Sequence, residues 1–372
     1  MQPSGRGTCR EPLAAANFVA DNPLVSVGVP TRNRAAVLGE SLKNICDQDY
    51  APLEILISDN CSSDETEEVC RAAAATDSRI RYIRQDRNIG LHGNHNFCMD
   101  EARGEFLCFF HDHDRRDRRF VSKHVAFMQQ HPRVGLLGSD WDLLDDAGNQ
   151  LGVRTFDGPS VTAGVDYTTR TIRTGRSSVG IPGGTIRVAA LDNARFKLDA
   201  PIGFGDFPIW FQIAETWDVG HIHESLSSWR QNAESLSARP IVEIARDYEK
   251  NIGEYCDEHA RRWPTHVELV KQWRASLHRY LFWALCYEVA LHFGRRDEAD
   301  PQHARTLFEM MDYRLSAEQF ERAMAGMKAR RSGTAEYVVF ALLNTLVRVG
   351  LTAPFGSIVR HQDRLRRLLG LK

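Results

Sequence analysis

Residues 106–117 read FLCFFHDHDRRD. A wholly apolar run, Phe106 to Phe110, gives way to His111-Asp112-His113-Asp114. Two carboxylates at i and i+2 interleave with two imidazoles. Three chemistries are open to such a cluster. It can be a solvated loop. It can be a zinc site, because His111 and His113 point the same way from a strand end. It can be an oxygen-rich hook that holds a divalent cation against phosphates. No third zinc ligand stands at useful spacing. Two other polar clusters follow apolar runs in the same manner. Thr31-Arg32-Asn33-Arg34 follows LVSVGVP (24–30), and Asn60-Cys61-Ser62-Ser63-Asp64 follows LEILISD (53–59).

The elements between these clusters must position them. LVSVGVP, LEILISD, IRYIRQ (80–85) and EFLCFF (105–110) are short, β-branched or aromatic runs and predict buried strands. Residues 35–47 carry a helical pattern. A second helix follows residue 61, with Ser62 and Ser63 as cap candidates. Asp64, Glu65, Glu67 and Glu68 sit where the helix dipole favours acids. NHNFCMDEA begins a third helix. Strand–helix alternation at this spacing predicts an α/β domain with a mostly parallel sheet. Such sheets bind ligands beyond the carboxyl ends of their strands. The three polar clusters therefore converge on one rim, as a nucleotide or phosphate-sugar site with a metal.

The bulk numbers set the frame. The chain has 372 residues, 42% hydrophobic and 26% charged, with a formal net charge of −2. No basic field argues for nucleic acid. Its eight cysteines include no CxxC pair and suit free thiols in a reducing cytoplasm. The opening MQPSGRGTCREP has no apolar core of a signal peptide. The longest uncharged apolar stretch in the C-terminal half, Tyr337 to Val347, is about half the ~20 residues that span a bilayer. Residues 1–22 read as a flexible tail. From about Arg239 long helical patterns dominate. The expected division is a tail (1–22), an α/β domain (23–238) and a helical C-terminal domain (239–372).

Five segments, in order, resemble the family-2 glycosyltransferases of the GT-A fold. VSVGVPTRNR resembles the family's VSVIIPTYNR, and LEILISDNCSSDET its EIIVVDDGSTDGT. RNIGLHGNHNFCMDEARGEFLCFFHDHD (87–114) resembles NxGxxxxxNxxxxxAxGEYxxFLxxDD. ARFKLDAPIGFGDFPIWFQIAE (194–215) is similar to the acceptor-side FDExxxxxEDxxLWLRLA, and HIHESLSSWRQNAESLS (221–237) to the closing PLVxYRxHxxSxS. The resemblance covers about residues 24–237. It implies a Rossmann-like, mostly parallel sheet and an inverting, metal-dependent transfer. The donor would be a nucleoside-diphosphate sugar, UDP- or dTDP-linked. The acceptor would be a saccharide or lipid-linked glycan in cell-surface polysaccharide assembly.

The resemblance implies roles residue by residue. Asp59 contacts the nucleotide base, with Pro30, Thr31, Arg34 and Asn88 lining the same pocket. Asp112 and Asp114 are the DxD motif for Mn2+ or Mg2+, Asp114 as direct ligand and Asp112 toward ribose or a metal-bound water. Asp206, in GFGDFPIW, is the catalytic base; the bland reading is a helix cap. Two departures stand out. Gly205 replaces the acid that usually precedes the base. Trp229-Arg230-Gln231-Asn232 replaces YRxH, so Asn232 or His223 is the candidate for phosphate or metal there. His221 and His223 otherwise read as structural, and Gly183-Gly184 as a tight turn or a close approach to sugar.

Two features belong to the C-terminal region. Trp263, Trp273, Tyr280, Phe282, Trp283, Tyr287 and Phe293 at helical spacing read as core. FGSIVRHQDRLRRLLGLK, with Ile358, Val359 and Leu365 among basic residues, reads either as a packed terminal helix or as one lying on an anionic membrane surface. The expected location is the cytoplasm, peripheral on the inner membrane face. Two other functions compete. A sugar nucleotidyltransferase would open with a GxGxRL-type signature where this chain has PTRNR. A glycosyltransferase-like binding module would retain nucleotide binding without turnover.

Overall fold

The computed structural model describes residues 22–111, 115–145, 148–180, 183–201, 203–230 and 241–277. In chain order the first elements are β1 (Val25–Thr31), α1 (Ala35–Cys46), β2 (Leu53–Asp59), α2 (Thr66–Thr76), β3 (Ile80–Arg84), α3 (Gly90–Glu101) and β4 (Phe106–Phe109). There follow β5 (Arg115–Arg116), α4 (Phe120–Gln130), β6 (Val134–Leu144), β7 (Gln150–Arg154), β8 (Val161–Thr162) and α5 (Gly164–Thr174). The last are β9 (Thr185–Arg187), α6 (Phe207–Ala214), β10 (Asp218–Arg230) and α7 (Ile241–Arg262). A further helical stretch, 267–277, ends the described chain.

The strands form one sheet in the order β3-β2-β1-β4-β9-β6-β10-β5, with β7 on β6 and β8 on β10. β1, β2, β3 and β4 pair in parallel, and β10 runs parallel to β6. β9 inserts antiparallel between β4 and β6. The expected mostly parallel α/β sheet is thus present. From β1 the chain moves outward through β2 and β3, then returns to place β4 on the other side of β1. That reversal opens a crevice above the carboxyl ends of β1 and β4, where sheets of this kind hold ligands.

Alternation along the strands builds two cores. Val25, Val27, Val29, Ile55, Ile57, Phe106, Cys108 and Phe110 face α1 and α4. Leu56, Leu107 and Phe109 face the opposite way, into a core shared with α3, α5, α6 and α7. Side chains of successive strand residues point to opposite faces, and burial on both faces gives the continuous apolar runs seen in sequence. Gly28 lets α3 lie close on β1, since a Cβ there would stand 3.1 Å from Cys98 Cβ.

Two local expectations shift. Helix α3 begins at Gly90, ahead of the expected NHNFCMDEA, because the Asn88 side chain closes its first turn: Gly90 N–H donates to Asn88 Oδ1 at 2.9 Å. Ser62 and Ser63 do not cap α2; Asp64 does, accepting from Thr66 N–H at 3.1 Å. Arg116, just past the motif, is buried with its guanidinium over the Phe110 ring.

Helix α7 packs on α6 through Tyr248, Ile252 and Tyr255, in one core with Phe207, Phe211, Trp210 and Trp273. Trp273 is buried there, as expected of the aromatic stripe. A polar knot fastens the same pair of helices. Glu215, just past α6, accepts from His259 Nδ1 (2.9 Å), Arg262 Nη1 (3.0 Å) and Trp263 Nε1 (3.1 Å). Tyr280, Phe282, Trp283, Tyr287, Phe293 and the basic C-terminal segment lie outside the described residues. No helix among the described residues is long and apolar enough to cross a membrane.

Candidate functional site

Thr31 and Asp59 end β1 and β2 side by side, paired in register. Both are buried. The Asp59 carboxylate is held from two sides. Ser62 donates to Oδ1 from its backbone N–H (2.9 Å) and hydroxyl (2.5 Å), and the Tyr82 hydroxyl donates to Oδ2 at 2.9 Å. Arg84 Nε stands 3.8 Å from Oδ2. A carboxylate gripped this way is held in one orientation.

The loops after β1 and β2 clasp each other. Asn33 N–H donates to Ser62 Oγ (2.9 Å), Arg34 N–H to Thr66 Oγ1 (2.9 Å), and Ser63 N–H to Asn33 Oδ1 (2.8 Å). Asp64 sits at the joint. Its Oδ2 accepts from Ala35 N–H at 3.2 Å, at the start of α1, and its Oδ1 from Thr66 at the start of α2. One carboxylate therefore satisfies the N-termini of two helices. The Thr66 hydroxyl bond, with these backbone donors, holds the Asp64 carboxyl below the usual carboxylate range.

Asn88 joins the same rim. Asn60 Nδ2 donates to Asn88 Oδ1 (2.9 Å) and to the Gly90 carbonyl (3.1 Å), while Ile89 N–H donates to Asn60 Oδ1 (2.7 Å). Pro30, Thr31, Arg34, Asp59 and Asn88 are thus brought to one edge of the sheet. Asn60 went unweighted in sequence, and it is the side chain that ties the β2 loop to α3.

Asp112, His113 and Asp114 lie outside the described residues, as does Asn232. Their flanks are described. Phe110 N–H donates to the Gly28 carbonyl at 3.0 Å, keeping the end of β4 beside β1. Beyond the motif, Arg116 and Arg115 pair with Ser227 and Ser228 of β10. Arg115 forms an ion pair with Glu40. Arg119 pairs with Asp117 (2.9 Å) and Glu224 (3.1 Å).

Asp206 stands at the N-terminus of α6. Its side chain makes no capping bond; it accepts instead from Trp210 Nε1 at 3.2 Å, one turn on. Burial pushes its carboxyl up to about 6, against the opposing pull of the Trp210 bond and of His111. His111 therefore lies within electrostatic reach of Asp206, linking α6 to the end of β4. Gly205 has a steric cause. A Cβ there would stand 2.9 Å from His92 Nε2 and 3.0 Å from the Pro201 carbonyl. His92 itself is fixed by the Lys197 carbonyl (2.8 Å) and a stack on Phe196. An imidazole takes the space in which a second acid would begin.

On β10, His221 is buried and His223 exposed. His221 meets Asp140 of β6 (Nε2 to Oδ1, 2.8 Å) and the Ser178 carbonyl (Nδ1, 3.0 Å). Gly183 turns on the Gly180 carbonyl and stands over Ser227 Oγ. The buried Ser227 and Ser139 hydroxyls find no hydrogen-bond partner among the described residues. Asp140, Ser139 and Ser227 had no signal in sequence. A cavity of about 510 Å3 lies elsewhere, at the C-terminal end of α6, lined by Gln212, Glu215, Tyr255 and Glu258.

Residues 26–159 match the model of "Glycosyl transferase family 2". Over 93 residues the chain is 43% identical to a Campylobacter jejuni protein named GalNAc(5)-diNAcBac-PP-undecaprenol beta-1,3-glucosyltransferase, covering 25% of this chain and 30% of that one. It is 33% identical over 110 residues to the Escherichia coli putative colanic acid biosynthesis glycosyl transferase WcaA, covering 30% and 39%. The matched segment thus spans about a third of each relative's length. Among solved structures, Staphylococcus aureus TarS with UDP-GlcNAc aligns with a TM-score of 0.49 at 17% identity, over 77% of this chain and 90% of that one. The Pyrobaculum calidifontis mannosyltransferase PcManGT with GDP-Man and Mn2+ aligns at 0.49 and 18%, over 96% and 89%.

Proposed function

We propose that this chain, whose residues 26–159 belong to glycosyltransferase family 2, transfers a sugar with inversion from a nucleoside diphosphate to a hydroxyl of a saccharide or lipid-linked acceptor. The observation that carries the reading is the Asp206 carboxylate, raised by burial and within reach of His111 at the end of β4. A base poised near neutral pH at the rim of the nucleotide crevice suits proton abstraction from an acceptor hydroxyl.

Each residue has work that its surroundings allow. The Asp59 carboxylate, oriented by Ser62 and Tyr82, accepts from an N–H of the nucleobase. Pro30, Thr31 and Arg34 line that pocket, and Asn88 braces its wall through Asn60. Asp112 and Asp114 supply hard oxygen ligands, which suit Mg2+ or Mn2+. A bound dication would offset the charge that develops on the departing diphosphate. His223 or Asn232 would complete the phosphate side. Asp206 takes the hydroxyl proton, its carboxylate oriented by the Trp210 indole. The names of the Campylobacter and Escherichia relatives support a role in polysaccharide or glycolipid assembly. The domain division at 238 and contact of the basic segment 355–372 with an anionic membrane face belong to the same proposal. Deleting 355–372 should then release the protein from anionic vesicles at unchanged nucleotide affinity.

Calorimetric titration of UDP, dTDP and GDP, each with Mn2+, Mg2+ or EDTA, tests the reading. Cation-dependent binding of one diphosphate is expected. No binding of any of them to folded protein overturns it. Binding without turnover on any acceptor would instead mark a glycosyltransferase-like binding module.

A further inference from the structure

Asp140 and His221, which the transfer reaction above does not use, form a cluster with His223. Their ligand atoms all lie within 4.8 Å of one another. The sheet builds this arrangement. His221 and His223, at i and i+2 of β10, project to one face. His221 pairs with Gly138 of β6, so Asp140, two residues on, shares that face. The β6–β10 ladder then breaks its register between Ile222 and Ser225. Bulges of this kind re-aim side chains and concentrate beside functional sites.

We propose that Asp140, His221 and His223 form a second cation site, built without Asp112 or Asp114, that takes a transition-metal dication such as Zn2+ or Co2+. The hydrogen-bond count at His221 supports it. The Ser178 carbonyl can only accept, so Nδ1 carries the hydrogen of that 3.0 Å contact. Nε2 of a neutral ring then turns its lone pair toward Asp140 Oδ1, 2.8 Å away. A cation serves both atoms at once. A backbone carbonyl on the far ring nitrogen is also how metal-binding histidines are commonly oriented. Phe156 steadies the carboxylate, donating its N–H to Asp140 Oδ1 at 3.0 Å, and its ring lies against both imidazoles.

The donor set selects the ion. Two imidazole nitrogens and one carboxylate favour borderline metals over Mg2+, which prefers oxygen and keeps its water. Ligands at about 2.0–2.2 Å from one cation fall roughly 3–4 Å apart. The exposed His223 needs only a small movement to close that distance. Three protein ligands leave positions open for water or a substrate oxygen.

The test uses the full chain, stripped with EDTA and titrated with Co2+ in the absence of nucleotide, followed by visible absorption and calorimetry. One equivalent of nitrogen-ligated cobalt is expected, displaced by Zn2+. Affinity should fall about tenfold or more in His223→Ala and Asp140→Asn, and stay unchanged in Asp114→Asn. His223 is exposed, so its removal leaves the fold intact, which the melting temperature checks. No cobalt uptake by the folded wild type overturns the proposal. So does uptake equal in His223→Ala, or lost in Asp114→Asn alone. Nucleotide titrations on the same samples report separately on the transferase reading.

Discussion

Asp206 is protonated below about pH 6, because its half-buried carboxyl is poorly solvated when charged. The base form exists above that value, so the rate of transfer should fall as pH drops through about 6. Stability should respond in the opposite sense. The folded protein holds this proton more tightly than the unfolded chain between about pH 4 and 6, so the Asp206 contribution to stability rises as pH falls across that window. Asp206→Asn should therefore lose roughly 10²–10⁴-fold in kcat while nucleotide affinity is kept and the melting temperature at neutral pH is not lowered. Wild-type turnover in that variant would move the base elsewhere. Asp59 makes a contrasting case. Asp59→Ala leaves Ser62 and Tyr82 without their acceptor, which should cost about 1–3 kcal/mol in denaturant titration and abolish nucleotide binding.

Elements meet at shared side chains, and Asp64 is the clearest. It closes the first turns of both α1 and α2. Asp64→Ala should destabilise by about 1 kcal/mol for each cap lost. It should also weaken nucleotide binding, because it unclasps the loops that carry Thr31–Arg34 and Asp59–Ser63. The folded-state carboxyl lies below its ordinary range. Its contribution is therefore present above about pH 4 and is lost as pH falls below that. A close approach governs α5 and α6. A Cβ on Gly164 would stand 1.9 Å from the Ala214 carbonyl. Gly164→Ala should cost about 3 kcal/mol by forcing the two helices apart, read as a fall in melting temperature.

Across the whole molecule, the helical region after residue 240 serves the site through packing. Tyr248, Tyr255 and Trp273 cover Phe207 and Phe211 of α6, the helix that starts at Asp206. Trp273→Ala should lower unfolding free energy by about 3–5 kcal/mol and, on the proposed function, reduce transfer without touching the crevice above β1 and β4. A fragment ending at residue 238 should expose that apolar face and fail to unfold cooperatively. If it folds and transfers sugar normally, α7 is dispensable.

The local signals were legible in sequence because they repeat over a few residues. Alternation in LVSVGVP, LEILISD and EFLCFF set which side chains face each core, and the abrupt end of each run marked the rim. Asp59 and Asp206 stood out differently, through the resemblance of their segments to the family-2 glycosyltransferases. What tertiary structure alone decided depends on register between distant segments. Asp140 lies in an apolar strand and acquires meaning only when β10 brings His221 beside it, 81 residues along the chain. Asp64 read as one acid among four, until the clasp of two loops made it a double cap. Gly205 read as a missing acid, until α3 set His92 against it. Periodicity is a property of one segment; contact is a property of two, and the register that joins them is fixed by the packed sheet.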